Sequence, residues 1–399
     1  MRTTSDSHWD IFCHVVDNFG DIGVCWRLAR QLAGEHGLAV RLWVDELAAF
    51  HVLCPQIRAD RPVQEVLGVE VMRWEQGFDF TGAVPGDVVV ETFACRLPDA
   101  FEAAMARRDP KSVWINLDHL SAEAWVADYH ALPSPHPRLP LNKYFFFPGF
   151  TARTGGLLRE NALEQRRQAF AAAPAERQRF LARLGVPDAA GTAGAAGTTS
   201  SGGDAGTLLV SLFCYENAAL PGLLDAWSRS RRPVLCLAPP GRGQADLERF
   251  ARRRLAVGDL VRHGRLELRL IPFVPQQDYD RLLWCCDLNL VRGEDSFVRA
   301  QWAARPMLWH IYPQEENVHH AKLAAFLDAC CAGLPRAPAA AVREFSLAWN
   351  GVGALTGDLW ERWLGFFPIL RRHAGEWQKE LMKQQDLCSR LVQFCQSRL

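Results

Sequence analysis

A chain of 399 residues with 49% hydrophobic and 23% charged residues can bury a sizeable core and exceeds one ordinary compact domain, so two domains are expected. Lys plus Arg and Asp plus Glu are each 45, which gives no net charge to draw the chain to nucleic acid or to an anionic membrane surface. No apolar run approaches the ~20 residues of a membrane helix, the opening MRTTSDSHWD lacks the apolar centre of a signal peptide, and the twelve cysteines form no CxxC, so we expect a cytoplasmic protein without a zinc cluster or a disulfide framework.

In chain order, short β-rich runs alternate with helical patterns. WDIFCHVV is followed by VCWRLARQLAGEHG, AVRLWV by DELAAFHVLC, DVVVETF by LPDAFEAAMARR, and SVWINL by SAEAWVADYH. Such a βα repeat predicts a mostly parallel sheet covered by helices, with ligands beyond the carboxyl ends of the strands. A helical Arg- and Ala-rich stretch runs from about Leu157 to Leu184, and then the aperiodic GVPDAAGTAGAAGTTSSGGDAG reads as a linker or insertion. After it the alternation restarts with TLLVSLFCYEN, PVLCLAPPG, LELRLIPFV, DLNLVRGED and PMLWHIYP. We therefore expect a first α/β domain over 1–187, a linker over 188–207, a second α/β domain over 208–368 with a cleft between the two, and C-terminal helices over 369–399 that cap the sheet or return to the first domain.

Four loops carry candidate chemistry. NFGDIG follows a strand and opens a helix, where backbone N–H groups receive anions, but it is not GxGxxG and no P-loop lysine follows. Either Gly20 and Gly23 serve a tight turn while Asp21 caps the helix, or Asp17 and Asp21 project into the site as a base and a holder of a cation. In LVRGEDSFVRAQWAARP, Arg292, Ser296 and the helix-end amides suit a nucleotide diphosphate, and Glu294 and Asp295 suit sugar hydroxyls; an N-cap with a surface ion pair is the alternative. IPFVPQQDYDRLLW offers Phe273 and Tyr279 as a clamp for a base and Gln276 for its edge, with packing in the core as the alternative. Its DYD lies at a helix start, where capping accounts for Asp278 and Asp280, so we do not read it as a metal site. In HIYPQEENVHHAKLAAFL the adjacent His319 and His320 diverge by roughly 100° on a helix and read as a polar face. Tyr215, in FCYEN, either reaches a phosphate or packs.

DIFCHVVDNFGDIGVCWRLARQLA, ETFAC, FCYEN, PFVPQ, RGEDSFVRAQWA and WHIYPQEENVHHAKLAAFL together resemble the bacterial protein-arginine rhamnosyltransferases that modify translation elongation factor P, in order and over nearly the whole chain. The resemblance implies a GT-B glycosyltransferase fold, with two facing Rossmann-like domains and a C-terminal helical segment that crosses back to the first. It further implies an inverting transfer of L-rhamnose from dTDP-β-L-rhamnose to one arginine of elongation factor P, without a cofactor or required metal, which activates the factor for translating polyproline stretches. By motif, the family's catalytic aspartates fall on Asp17 and Asp21 and its essential glutamate on Glu294. The donor site falls on Tyr215, Phe273, Gln276, Tyr279, Arg292, Glu294, Asp295 and Ser296, and Asn18, Phe19, Gly20 and Gly23 support the first loop. Tyr279 stands where relatives carry phenylalanine, which preserves a stacking face. Competing readings are a related sugar-nucleotide epimerase, a transferase acting on a small molecule, and a non-catalytic adaptor that binds the elongation factor.

Overall fold

The computed structural model describes residues 7–17, 19–75, 77–186 and 206–399. Asn18 and residues 188–205 of the expected linker lie outside the described residues. The chain forms two compact units, Met1–Asn161 with Met382–Leu399, and Ala162–Leu381.

The first unit contains β1 (His8–Cys13), α1 (Gly20–His36), β2 (Ala39–Val44), α2 (Leu47–Leu53), β3 (Val63–Val66), β4 (Val69–Arg73), β5 (Val88–Thr92), α3 (Asp99–Arg107), β6 (Val113–Leu117), α4 (Val126–Tyr129), β7 (Pro133–Pro135) and β8 (Asn142–Phe146). Its eight-stranded sheet has the order β3-β4-β2-β1-β5-β6-β8-β7. The strands from β4 to β8 run parallel, and β3 and β7 pair antiparallel as the two edges. β5 and β6 are buried along their whole length, as strands covered on both faces must be, which is why VVVET and VWINL are nearly uninterrupted apolar runs. The edge strands escaped the sequence reading because short runs such as VQEV carry little apolar periodicity.

The second unit opens with α5 (Leu163–Ala171) and α6 (Pro174–Arg183) and continues through β9 (Leu208–Leu212), α7 (Leu220–Ser228), β10 (Val234–Ala238), α8 (Gln244–Ala251), β11 (Leu260–His263), β12 (Leu266–Leu270), α9 (Gln276–Cys285), β13 (Leu288–Arg292), α10 (Asp295–Trp302), β14 (Met307–His310), α11 (His319–Cys331), α12 (Arg336–Trp349), α13 (Gly357–Gly365) and α14 (Phe367–Met382). Its six-stranded sheet has the order β11-β12-β10-β9-β13-β14, parallel except for β11. The helices α5 and α6, expected at the end of the first domain, belong to this unit because Phe170, Phe180 and Leu181 pack on Leu209, Leu237 and Ile271.

The two C-terminal helices part company. α14 packs Phe367 and Leu370 into the core of the second unit, whereas α15 (Leu387–Gln396) belongs to the first. There the Asp386 carboxylate caps α15 through Ser389 N–H and accepts from Gln31 Nε2 of α1 at 3.0 Å, while Phe394 meets the rings of Tyr144 and Phe146 edge-on. All twelve cysteines are free thiols, ten of them buried. No described helix is long and apolar enough to cross a membrane.

Candidate functional site

In each sheet one pair of neighbouring strands marks a change of direction. β1 leads through α1 to β2 on one side, and β5 leads through α3 to β6 on the other. β9 leads through α7 to β10, and β13 through α10 to β14, in the same manner. The loops beyond such strand pairs splay apart and leave a crevice, which is where ligands bind in open α/β sheets. The motif pairs DNFGDIG with ETFAC, and FCYEN with RGEDS, occupy these two positions.

In the first unit, Asp21 lies in the first turn of α1 and is 7% exposed. It does not cap its own helix. Its Oδ2 accepts from the N–H groups of Val16 and Asp17, at 2.8 and 2.9 Å, and so fastens the preceding loop to α1. The same loop is held from its other end by Asp45, which bonds His14 and accepts Val15 N–H at 2.9 Å. Asp17 is half-buried, and its carbonyl accepts Gly20 N–H at 2.6 Å. Both Gly20 and Gly23 are helical, so neither serves a left-handed turn. Gly20 instead makes room: a Cβ there would stand 2.7 Å from Asp17 Oδ2. Phe19 sits at the helix entrance, and its carbonyl accepts Gly23 N–H at 3.0 Å. Burial pushes the Asp21 carboxyl above its ordinary value; the two backbone N–H groups and the charge of His119 act to lower it, and Asp17 adds to the rise. A buried carboxyl of this kind is a stronger proton acceptor than an exposed one and attracts a cation.

In the second unit, Arg292 ends β13, and its guanidinium carbon lies 4.5 Å from the ring centroids of both Phe213 and Tyr215. Two aromatic faces thus hold one planar cation, a use to which arginine is suited and lysine is not. Ser296 is turned to the backbone: its hydroxyl bonds Arg292 O and accepts Arg292 N–H at 3.0 Å, closing the turn between β13 and α10. Gln276, buried at the start of α9, donates to Asp295 Oδ2 at 3.2 Å. The Tyr279 ring lies 6.3 Å from that of Phe213, and burial raises its phenol while a hydrogen bond with Ser296 opposes the rise. Phe273 is half-buried in the loop between β12 and α9, and Glu294 is half-buried at the entrance of α10, where its side chain makes no capping bond. Asp280, the second carboxylate of DYD, forms a buried ion pair with Arg299 through contacts of 2.7 and 2.6 Å, and is committed to joining α9 to α10. Among the described residues no group of three or more His, Cys, Asp or Glu side chains is arranged to hold a metal.

Sequence reasoning missed several neighbours. Phe213 is the first residue of FCYEN and reads as an ordinary strand-end aromatic. His310 pairs across the sheet with Arg292, and its Nδ1 accepts Tyr215 N–H at 3.3 Å. Burial, the Arg292 guanidinium and His319 push His310 down to about 4, so it is a neutral acceptor near pH 7. Trp309 donates from Nε1 to Gly293 O at 2.8 Å and fixes the RGED turn from behind. In ETFAC, Phe93 lies parallel to His119 at 4.4 Å. His319 and His320 do not form a polar face: His319 is buried and accepts Gln314 N–H, and the two rings lie 4.2 Å apart.

The family model described as "Elongation-Factor P (EF-P) rhamnosyltransferase EarP" matches residues 9–396. The chain is 52% identical to a protein-arginine rhamnosyltransferase of Pseudomonas aeruginosa, over 97% of its own length and 98% of that protein. Its structure is similar to one solved to give the structural basis for EarP-mediated arginine glycosylation of translation elongation factor EF-P, with a TM-score of 0.68 and 37% identity over 99% of this chain and 100% of that one. A UDP-glucosyltransferase from Polygonum tinctorium shares the two-sheet GT-B architecture at a TM-score of 0.50 and 11% identity, covering 99% of both chains. The chain belongs to the EarP family of elongation factor P rhamnosyltransferases, enzymes of the protein-arginine rhamnosyltransferase class.

Proposed function

We propose that the protein transfers L-rhamnose from dTDP-β-L-rhamnose to an arginine side chain of translation elongation factor P, with inversion at the anomeric carbon. The observation that carries this reading is Asp21, a buried carboxyl raised by its surroundings and held by two backbone N–H groups beside a second carboxylate, Asp17. Arginine is a poor nucleophile because its guanidinium stays protonated up to a pH of about 12 and its lone pairs are delocalised. A carboxylate beside the acceptor both attracts the cation and accepts the proton as the terminal nitrogen attacks. Asp21 takes that proton in our reading, and Asp17 orients the guanidinium.

On the donor side, Arg292 stabilises the diphosphate as negative charge grows on it, held in place by Phe213 and Tyr215 so that little reorganisation accompanies the reaction. Phe273 and Tyr279 clamp the thymine, Gln276 reads its edge, and Glu294 and Asp295 accept from sugar hydroxyls. Ser296 supports this set by closing the Arg292 turn. Inversion follows from a single in-line displacement in which nitrogen attacks the face opposite the departing diphosphate. Intact-mass analysis of elongation factor P incubated with the protein and dTDP-L-rhamnose tests the reading: a single deoxyhexose adduct on an arginine is expected, and an unchanged mass would overturn it.

A further inference from the structure

Resting on the reading of Tyr215 and Arg292 as donor-site residues, we propose that Arg242, on the loop after β10, is a second cation for the donor diphosphate and binds it together with Arg292.

The need for a further positive charge follows from the charges at the site. A dTDP-sugar carries two negative charges on its diphosphate, and a third develops as the anomeric carbon–oxygen bond breaks and its electron pair stays on dTDP. Against these, the loops after β9, β12 and β13 set one guanidinium, Arg292, in company with the carboxylates of Glu294 and Asp295. His310 stands beside Arg292 in the sheet but is neutral near pH 7, so it adds no charge.

The fold brings Arg242 to this place. Strands β12, β10, β9 and β13 are successive parallel neighbours, so the loops at their carboxyl ends form one row. Phe273 and Gln276 follow β12, Tyr215 follows β9, and Arg292 ends β13. The loop after β10, PPGRGQ, lies within that row, between the loop of Phe273 and the loop of Tyr215, and it carries Arg242. Its guanidinium carbon lies 5.9 Å from the ring centroid of Tyr215, and that of Arg292 lies 4.5 Å from the same centroid. One buried ring thus receives two guanidinium groups. Like charges gathered on one ring repel each other, and an anion that bonds both removes the repulsion. A diphosphate presents oxygens at both of its ends and can meet both groups at once.

The loop is built to hold Arg242 there. Pro239 and Pro240 stiffen the chain as it leaves β10, and Gln244 N–H donates to Gly241 O at 3.0 Å, which closes a turn around Arg242. Gly243 lets this turn approach FCYEN: a Cβ there would stand 2.8 Å from Cys214 Sγ and 3.6 Å from Tyr215 O. Asp246, in the first turn of α8, accepts Asn217 N–H at 3.2 Å and ties the two loops together a second time. The same carboxylate pairs with Arg249, so the acid nearest to Arg242 in the chain is committed elsewhere. Arg242 itself is exposed, and a ligand entering the site reaches it without displacing a buried contact.

The test is calorimetric titration of the full chain with dTDP at several salt concentrations, for wild type, Arg242→Ala and Arg242→Lys. We expect Arg242→Ala to raise the Kd for dTDP roughly 10-fold and to flatten its dependence on salt, because one contact between opposite charges is gone. Arg242→Lys keeps the charge, so its salt dependence stays that of wild type and its Kd rises less than in Arg242→Ala. A Kd within about twofold of wild type in Arg242→Ala would overturn the proposal. Weaker binding with an unchanged salt dependence would also overturn it, and would assign Arg242 to the packing of Tyr215. If circular dichroism shows that Arg242→Ala does not fold, Arg242→Gln is judged by the same two criteria. A wild type that does not bind dTDP would instead overturn the donor-site reading from which the proposal starts.

Discussion

Asp10 and Asp21 lie eleven positions apart and are both buried, yet they are matched differently. Asp10 is fully covered and accepts from Arg41 Nε and Nη2 at 2.6 and 3.1 Å, from Trp43 Nε1 and from Gly86 N–H, so its charge is neutralised within the sheet. Asp21 accepts from two neutral backbone groups, and its carboxyl is raised by burial. A carboxyl raised on folding is more stable protonated: its favourable contribution is present at low pH and is lost as pH rises through the folded value. Where it is ionised, Asp21 therefore works against folding. Asp21→Asn keeps the acceptor oxygen and removes the base, so transfer is expected to fall by about 10³-fold or more, with dTDP binding unchanged by calorimetry and the melting temperature at pH 7 equal to or above wild type. A lowered melting temperature would assign Asp21 to structure instead. At Arg292, lysine keeps the charge and loses the planar fork that two rings enclose, so Arg292→Lys is expected to weaken dTDP binding by about 10-fold in calorimetry without changing the secondary structure.

At the scale of elements, the donor loop depends on α9 and α10 keeping their relation. Arg299 has a fully buried side chain and is paired with Asp280, so one helix supplies the cation and the other the anion. Removing one partner leaves a buried charge uncompensated, and Asp280→Ala is expected to cost about 3–5 kcal/mol in denaturant unfolding. Replacing both partners with apolar residues of similar volume should cost less, since the pair is strong only relative to its broken halves. The ladder from Phe326 through Phe297 and Trp309, with centroid distances of 4.7 and 3.9 Å, then supports Gly293 from behind. Helix capping, expected for both aspartates of DYD, does not account for Asp280: its carboxylate is spent on packing two helices, and no sequence pattern links it to Arg299 nineteen residues away.

For the whole molecule, the chain leaves the first unit at Asn161 and returns to it at Met382. α15 covers Gln31 on α1 and the Tyr144 and Phe146 rings on β8, so the first unit is incomplete without the end of the chain. Truncation after Met382 is expected to lower the melting temperature of the first unit and to abolish transfer, while dTDP still binds by calorimetry because its candidate contacts all lie between Tyr215 and Ser296. Loss of dTDP binding on truncation would show that the donor site depends on the first unit.

The sequence by itself determined the buried central strands, the two-unit α/β architecture and the family, because βα alternation and buried-strand runs are local signals and the motifs are long. It also marked Asp17, Asp21, Arg292 and Glu294 as candidates, since each lies at or beyond the end of a recognisable strand. The order of strands within each sheet was decided only in three dimensions, because pairing joins segments remote in the chain. That order sets β1 beside β5 and β9 beside β13, and so brings DNFGDIG to ETFAC and FCYEN to RGEDS. The aromatic clamp on Arg292, the neutral His310 and the Phe93–His119 stack all follow from this order. None has a periodic signature, because each is a contact between the ends of different strands.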